Sequence, residues 1–216
     1  MSFGEELDWG KVLEISYFVS SPQNLGVDAS RVCAVILCSS GTTGLSKGTM
    51  LSSAQCIQIS KASPQVANPT MLCFSSLYWL SGLTTLLYTL ANVTKRVITK
   101  RKFSPLVMVH LIEQYKVNVI VTPPSHVALL VQSPVLSLAD LSSVRAYLVG
   151  GGFFAQELRE VLQDHLLYGT VLVSYGMTET ATLITSTLPF QKASTSVGKI
   201  MPNMQMKVNL LFSKFK

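Results

Sequence analysis

The chain has 216 residues, enough for one large domain or two small ones and for a core that needs no covalent staples. Hydrophobic residues make up 48% and charged residues only 13%, which excludes a disordered or highly charged tail protein. Seventeen basic against eleven acidic residues give a net charge of +6, partly concentrated in Lys95–Lys102 and in Lys214 and Lys216. With no RNP-like motif, zinc-finger spacing or long basic stripe, this excess reads as a basic surface and not as a nucleic-acid interface.

Residues 1–30 are thin in pattern, and 20–30 are polar and loop-like. Arg31–Cys38 is a continuous apolar run, as in a strand buried on both faces. A Ser/Gly/Thr loop spans Ser39–Gly48, and Ser52–Ala62 then reads as a helix capped by Ser52 or Ser53. Met71–Ser75 predicts a strand, Leu80–Leu90 a helix and Arg96–Thr99 a short strand. Ser104–Pro105 is a clean helix start, with a capping hydroxyl and proline at the first helical position, and that helix runs to Tyr115.

Val117–Thr122 predicts a buried strand and Pro124–Val131 a helix. Val144–Val149 follows as a strand, Ala155–His165 as a helix, Val171–Tyr175 as a strand, and Met204–Val208 suggests a last one. Strands alternating with helices predict an α/β fold with a mainly parallel sheet flanked by helices, whose ligands bind at the carboxyl ends of the strands. Both ends of the chain read as places where a larger protein was cut. The expected organisation is a lead-in over 1–30, an incomplete core over 31–208 and a tail over 209–216.

Cys33, Cys38, Cys56 and Cys73 contain no C-x-x-C pair and follow no signal peptide, so free thiols in a reducing compartment are expected. His110, His126 and His165 lack metal-ligand spacing. Ala62 to Thr94 carries no charge, and Met71–Val93 nearly reaches bilayer length. Its serines, threonines, glycine and asparagine favour a buried strand and helix over an integral span. A small membrane-associated protein using Met71–Val93 stays as an alternative.

The sharpest local signal is Ser39-Ser40-Gly41-Thr42-Thr43-Gly44-Leu45-Ser46-Lys47-Gly48. Glycines let backbone N–H groups turn inward around oxyanions, hydroxyls of Ser40, Thr42 and Thr43 add donors, and Lys47 supplies a mobile cation. Counting from Gly41, a Walker loop would need Gly at Ser46 and Ser or Thr at Gly48, so that motif fails. A second segment, Ser174-Tyr175-Gly176-Met177-Thr178-Glu179-Thr180, offers an aromatic ring for a base, a hydroxyl for a phosphate and a carboxylate for Mg2+, a hard cation. A third, Val149-Gly150-Gly151-Gly152-Phe153-Phe154, offers glycines where a backbone can approach a flat base.

These segments, in this order, resemble the adenylate-forming superfamily, the acyl-CoA synthetases, 4-coumarate–CoA ligases and firefly-luciferase-like enzymes. The first departs from the family signature only in Ser46 for proline. Phe153 and Phe154 replace the family's small residue and proline, which leaves open whether they pack in the core or crowd the adenine pocket. The resemblance covers Val32 to Val208, including Ser196-Val197-Gly198-Lys199-Ile200-Met201-Pro202, and implies the large N-terminal domain of such an enzyme, truncated at both ends. It implies ATP, Mg2+ and coenzyme A as co-substrates and cofactor, and a fatty or aromatic carboxylic acid as substrate.

By that resemblance Ser39, Ser40, Gly41, Thr42, Thr43, Gly44 and Lys47 hold the β- and γ-phosphates. Thr178 touches the α-phosphate, Glu179 binds Mg2+, and Gly151, Gly152, Tyr175 and Gly176 border the adenine. Lys47, Thr178 and Glu179 are the expected catalytic residues. Tyr78, Trp79, Ser81 and Gly82 lie where the acyl group belongs, with Trp79 in place of the family's usual histidine; packing of Trp79 in the core is the competing reading. The family's ribose-binding aspartate, nearby arginine and small lysine-bearing C-terminal domain have no counterpart here. The isolated chain is therefore expected to be inactive or nearly so, and to self-associate through exposed sheet edges. A non-catalytic nucleotide-binding or scaffold relative is the other alternative. The resemblance implies the peroxisome, or else the cytoplasm, and the end Ser213-Lys214-Phe215-Lys216 carries no Ser-Lys-Leu-like peroxisomal address.

Overall fold

The computed structural model describes residues 26–39, 46–61, 66–189, 195–202 and 204–207. It begins with a strand at Cys33–Ser39 (β1) paired antiparallel with Lys47–Ser52 (β2) as a two-stranded sheet. The chain continues through α1 (Ser53–Lys61), β3 (Thr70–Cys73), α2 (Leu80–Ala91), β4 (Lys95–Val97) and α3 (Pro105–Tyr115). Then come β5 (Val119–Thr122), α4 (Pro124–Val131), a 3-10 turn at Pro134–Leu138, β6 (Ala146–Gly150) and α5 (Gln156–Asp164). It closes with β7 (Thr170–Gly176), a 3-10 turn at Thr178–Thr180, β8 (Leu183–Ser186) and β9 (Lys199–Ile200).

The seven strands after the hairpin form one sheet in the order β4-β3-β5-β6-β7-β8-β9. The first five run parallel, and β8 and β9 turn back antiparallel. The α/β fold with a mainly parallel sheet is thus as the sequence predicts. Parallel strands need helical crossovers, and α3, α4 and α5 supply them over one face. There Leu72, Ile120, Tyr147, Val149 and Val171 of the sheet meet Met108, Ile112, Val127, Leu130 and Leu162 of the helices, all inaccessible to solvent. Each such side chain contributes roughly 1.5–3 kcal/mol when fully buried. On the opposite face Tyr88 of α2 covers Met71, Val119 and Ala146.

Local chemistry sets the helix starts. In α1 the Gln55 N–H donates to Ser52 Oγ (3.3 Å) and the Ser52 N–H donates to Gln55 Oε1 (2.9 Å), a reciprocal capping box. In α3 Ser104 Oγ accepts from the Val107 N–H at 3.3 Å and Pro105 opens the first turn. The end of α2 is unusual. The Thr94 N–H donates to Thr89 O (3.0 Å), closing a left-handed cap in which Val93 takes φ 49°. Glycine or asparagine normally stands there, and a left-handed L-residue costs about 1–2 kcal/mol.

Of four expectations, three need correction and one, the strand and helix over Met71–Val93, holds. The Arg31–Cys38 run is not a strand buried on both faces: Cys33, Ala34, Ile36 and Cys38 are exposed, because β1 belongs to a two-stranded sheet packed on one side only. The Gly/Thr segment does not lead straight into a helix, since Lys47 and Gly48 already begin β2. Met71–Val93 divides into a four-residue strand and a twelve-residue helix, and among the described residues no helix is long and apolar enough to cross a membrane. Residues 204–207 form no strand, while β8 and β9 arise where no strand was expected.

Candidate functional site

The carboxyl ends of β3, β5, β6 and β7 lie side by side along one edge of the sheet, the ligand edge of an open parallel sheet. Register does the positioning. Gly150 of β6 is paired with Ser174 of β7, so the glycine segment and the Tyr175–Thr180 segment leave adjacent strands at the same level. A Cβ at Gly150 would lie 2.9 Å from Ser174 O, and one at Gly176 would lie 2.9 Å from Thr182 O. Both glycines therefore allow close backbone approach.

Gly151 differs: it takes φ +88°, and its missing Cβ would face open space. Gly152 meets only Pro124 of α4, at 3.8 Å. Phe154 packs against the main core, whereas Phe153 is 87% exposed, so the two phenylalanines part company beyond the glycines. Tyr175 stands beside this opening with 43% of its surface exposed, leaving a ring face for a planar ligand.

The next turn is self-supporting. Thr180 Oγ1 lies 2.9 Å from both Met177 O and Thr182 O, and Ala181 takes φ 60°. Thr178 is half-buried and Glu179 exposed. Glu179 has no hydrogen-bond or ion-pair partner among the described residues, so its carboxylate is free for a cation. No group of three or more His, Cys, Asp or Glu side chains gathers for a metal among the described residues. A cation at Glu179 would need oxygen ligands from a bound phosphate.

The β1–β2 hairpin docks against this turn. Ala181 is buried in one cluster with Leu37 of β1, Leu51 of β2, Ile59 of α1 and Leu83 of α2. Ser39 and Lys47 pair at the loop end of the hairpin, and Lys47 is exposed. Ser40, Gly41, Thr42, Thr43 and Gly44 lie outside the described residues. The hairpin's outer end and the Glu179 turn thus belong to one neighbourhood, joined by an apolar anchor.

At the end of β3, Tyr78 and Trp79 are exposed, Trp79 at 63%, so Trp79 is not a core residue. The Ser81 hydroxyl donates to Ser75 Oγ at 2.8 Å. Gly82 is buried tightly against backbone: a Cβ there would collide with the carbonyl of Ser76 and lie 2.7 Å from that of Ser75. Of the four residues expected near an acyl group, two are open and two are committed to the strand–helix junction.

An aromatic group at the same edge was not singled out from the sequence. Phe103 stacks on His126 (centroids 3.7 Å apart, planes 3° apart), and Phe74 meets Phe103 edge-on at 5.3 Å. The Pro123-Pro124-Ser125-His126 start of α4, directly after a buried strand, was the available signal. Burial lowers the His126 pKa from its ordinary value. The folded state then favours the neutral ring, while the unfolded chain binds a proton below about pH 6.5. Stability is expected to fall as pH drops below that value, and His126→Phe should flatten this fall in urea melts between pH 7 and 5.

Known proteins match this chain. The family described as AMP-binding enzyme matches residues 7–209. A 4-coumarate–CoA ligase of Humulus lupulus is 30% identical over 183 residues, covering 79% of this chain and 33% of that protein. The chain therefore spans about a third of the length of such curated relatives. The luciferase-like enzyme of the nonluminescent Zophobas morio mealworm is similar in structure, with TM-score 0.71, 28% identity and coverage of 81% and 42%. So is the O-succinylbenzoate coenzyme A synthetase of Bacillus subtilis in complex with AMP, with TM-score 0.67, 27% identity and coverage of 80% and 44%. The same synthetase is solved with ATP and magnesium ion, at TM-score 0.67, 25% identity and coverage of 80% and 36%.

Proposed function

The chain belongs to the AMP-binding enzyme family, and on that premise we propose that residues 31–208 form the nucleotide-binding core of an ATP-dependent carboxylic acid–CoA ligase. The observation that carries the reading is the register Gly150–Ser174, which sets the Gly151 opening and Tyr175 side by side, with the hairpin of Ser39 and Lys47 docked on the following turn.

In this reading the adenine lies along the Gly151–Gly152 backbone against the Tyr175 ring, with Gly176 beneath it. The Thr178 hydroxyl donates to the α-phosphate. Lys47, with Ser39 and the hydroxyls and N–H groups of Ser40 to Gly44, holds the β- and γ-phosphates. Glu179 fits Mg2+ because its carboxylate is exposed and unpartnered among the described residues. When bound, that cation would neutralise phosphate charge. The contribution of the chain's own residues is electrostatic: donors and a cation fixed where charge builds as the carboxylate of an acid attacks the α-phosphorus and pyrophosphate leaves. Tyr78 and Trp79, open at the end of β3, are the proposed border of a fatty or aromatic acid. Coenzyme A would take the acyl group from AMP in the second half of the reaction.

Calorimetry with Mg·ATP tests the core of this proposal. The full chain is expected to bind, and Lys47→Ala to weaken binding about tenfold to a hundredfold, the range for a lost hydrogen bond between charged groups. Glu179→Gln should weaken Mg·ATP more than metal-free ATP. A folded chain that binds no nucleotide, or binds equally well as Lys47→Ala, would refute the proposed phosphate grip.

A further inference from the structure

Two of the four thiols meet where the hairpin joins α1. Cys33 opens β1 and stands opposite Ser52 across the ladder, with the register slipping between Cys33 and Val35. Ser52 directly precedes α1, and both the N–H and the hydroxyl of Ser53 donate to Val32 O, at 2.8 and 3.4 Å. Cys56 lies three residues past Ser53 on α1, a spacing that sets two side chains beside each other, with Cβ atoms about 5–6 Å apart. The residue before Cys33 is therefore fastened to the helical neighbour of Cys56.

Cys33, Ser52 and Gln55 also line one open cavity of about 470 Å³, and Gln55 is the residue before Cys56. Cys33 is exposed and Cys56 half-buried. Burial first, and the charge of Cys33 second, push the Cys56 thiol up from its ordinary value, so the two sulfurs are close enough to sense each other. The other two thiols are placed elsewhere. Cys38 is five residues along β1 from Cys33, about 16 Å in a strand and well past the ~7 Å between Cα atoms that a disulfide tolerates. Cys73 is buried on β3 of the larger sheet.

We propose that Cys33 and Cys56 form a redox latch, in which oxidation by hydrogen peroxide joins them in a disulfide that closes a ring around the whole β1–β2 hairpin. The exposed Cys33 reacts first. Its sulfur attacks one peroxide oxygen, the O–O bond breaks, and water leaves a sulfenic acid behind. The Cys56 sulfur then attacks the Cys33 sulfur and expels the hydroxyl as a second water. Two thiols lose two electrons and two protons, and one peroxide becomes two waters. A dithiol reductant reverses the step, so the latch rests open in a reducing compartment. The ring spans residues 33–56 and ties to α1 a hairpin that a small apolar cluster otherwise packs onto the rest. Both partners belong to one chain, so the latch needs neither a free surface nor a second molecule.

The test exposes the full chain to hydrogen peroxide, folded and in urea, then blocks remaining thiols and maps peptides without reductant. The expected product is one Cys33–Cys56 link, reversed by dithiothreitol and formed about tenfold faster in the folded chain than in urea, because folding holds the two thiols together. Amide exchange in β1 and β2 should slow about tenfold in the oxidised chain, with β5 and β6 unchanged. Cys56→Ser should leave Cys33 as a sulfenic acid that dimedone traps, with exchange as in the reduced chain, and Cys38→Ser should keep the link. A Cys33–Cys38 link overturns the proposal, as do linked dimers as the main product or pairing no faster in the folded chain than in urea. These readouts are covalent and structural, so they decide the latch whether or not the chain binds Mg·ATP.

Discussion

Gly82→Ala is expected to lower the unfolding free energy by about 3 kcal/mol or more, among the largest effects of adding a single methyl group. The added Cβ would meet the backbone carbonyls of Ser75 and Ser76, which cannot swing aside as a side chain can. Relief requires α2 to back away from the end of β3, and α2 is what covers Met71 and Val119 on that face of the sheet. Urea midpoints for Gly82→Ala and Ser81→Ala make the comparison. Ser81→Ala removes only the hydroxyl bond to Ser75 and should cost about 1 kcal/mol. An unchanged midpoint in Gly82→Ala, with altered preference among acids, would mean that Gly82 faces substrate and not the junction.

Ile120→Ala should cost about 2–5 kcal/mol. Ile120 sits on β5, between β3 and β6, and is inaccessible to solvent inside the cluster that joins the sheet to α3 and α4. Its neighbours are held by parallel pairing on both sides, so the site can collapse little around the cavity. Domains are typically stable by about 5–15 kcal/mol, so this one change removes a large share. Leu106→Ala, on the exposed side of α3, should stay within about 0.5 kcal/mol and serves as the control.

The parts of the fold written in local chemistry were legible in the sequence. Ser104–Pro105 and Pro123–Pro124 announce α3 and α4 because caps and prolines act within one turn. The run at Arg31–Cys38 misled because hydrophobicity reports what a strand can bury and not how many layers are there to bury it. Strand β2 was hidden because Lys47-Gly48-Thr49 reads as the rest of a loop. At the site, the aromatic and acidic residues of Tyr175–Thr180 were legible as chemistry. Their placement beside Gly151 depends on pairing between strands more than twenty residues apart, which local pattern does not encode. The same holds for Gly82: the family resemblance suggested a substrate contact, and only the crossing of α2 over β3 shows that backbone already fills the space.

The separation of the β1–β2 hairpin from the seven-stranded sheet has a dynamic consequence. Among the described residues its ladder shares no hydrogen bond with the larger sheet, and the small cluster around Leu37, Leu51 and Ala181 packs it onto the rest. The hairpin can therefore open as a cooperative unit of its own, at a free energy below that of global unfolding. A ligand gripped between Lys47 and the Glu179 turn would close that unit, so amide exchange in β1 and β2 would slow on binding while β5 and β6 stay as they were.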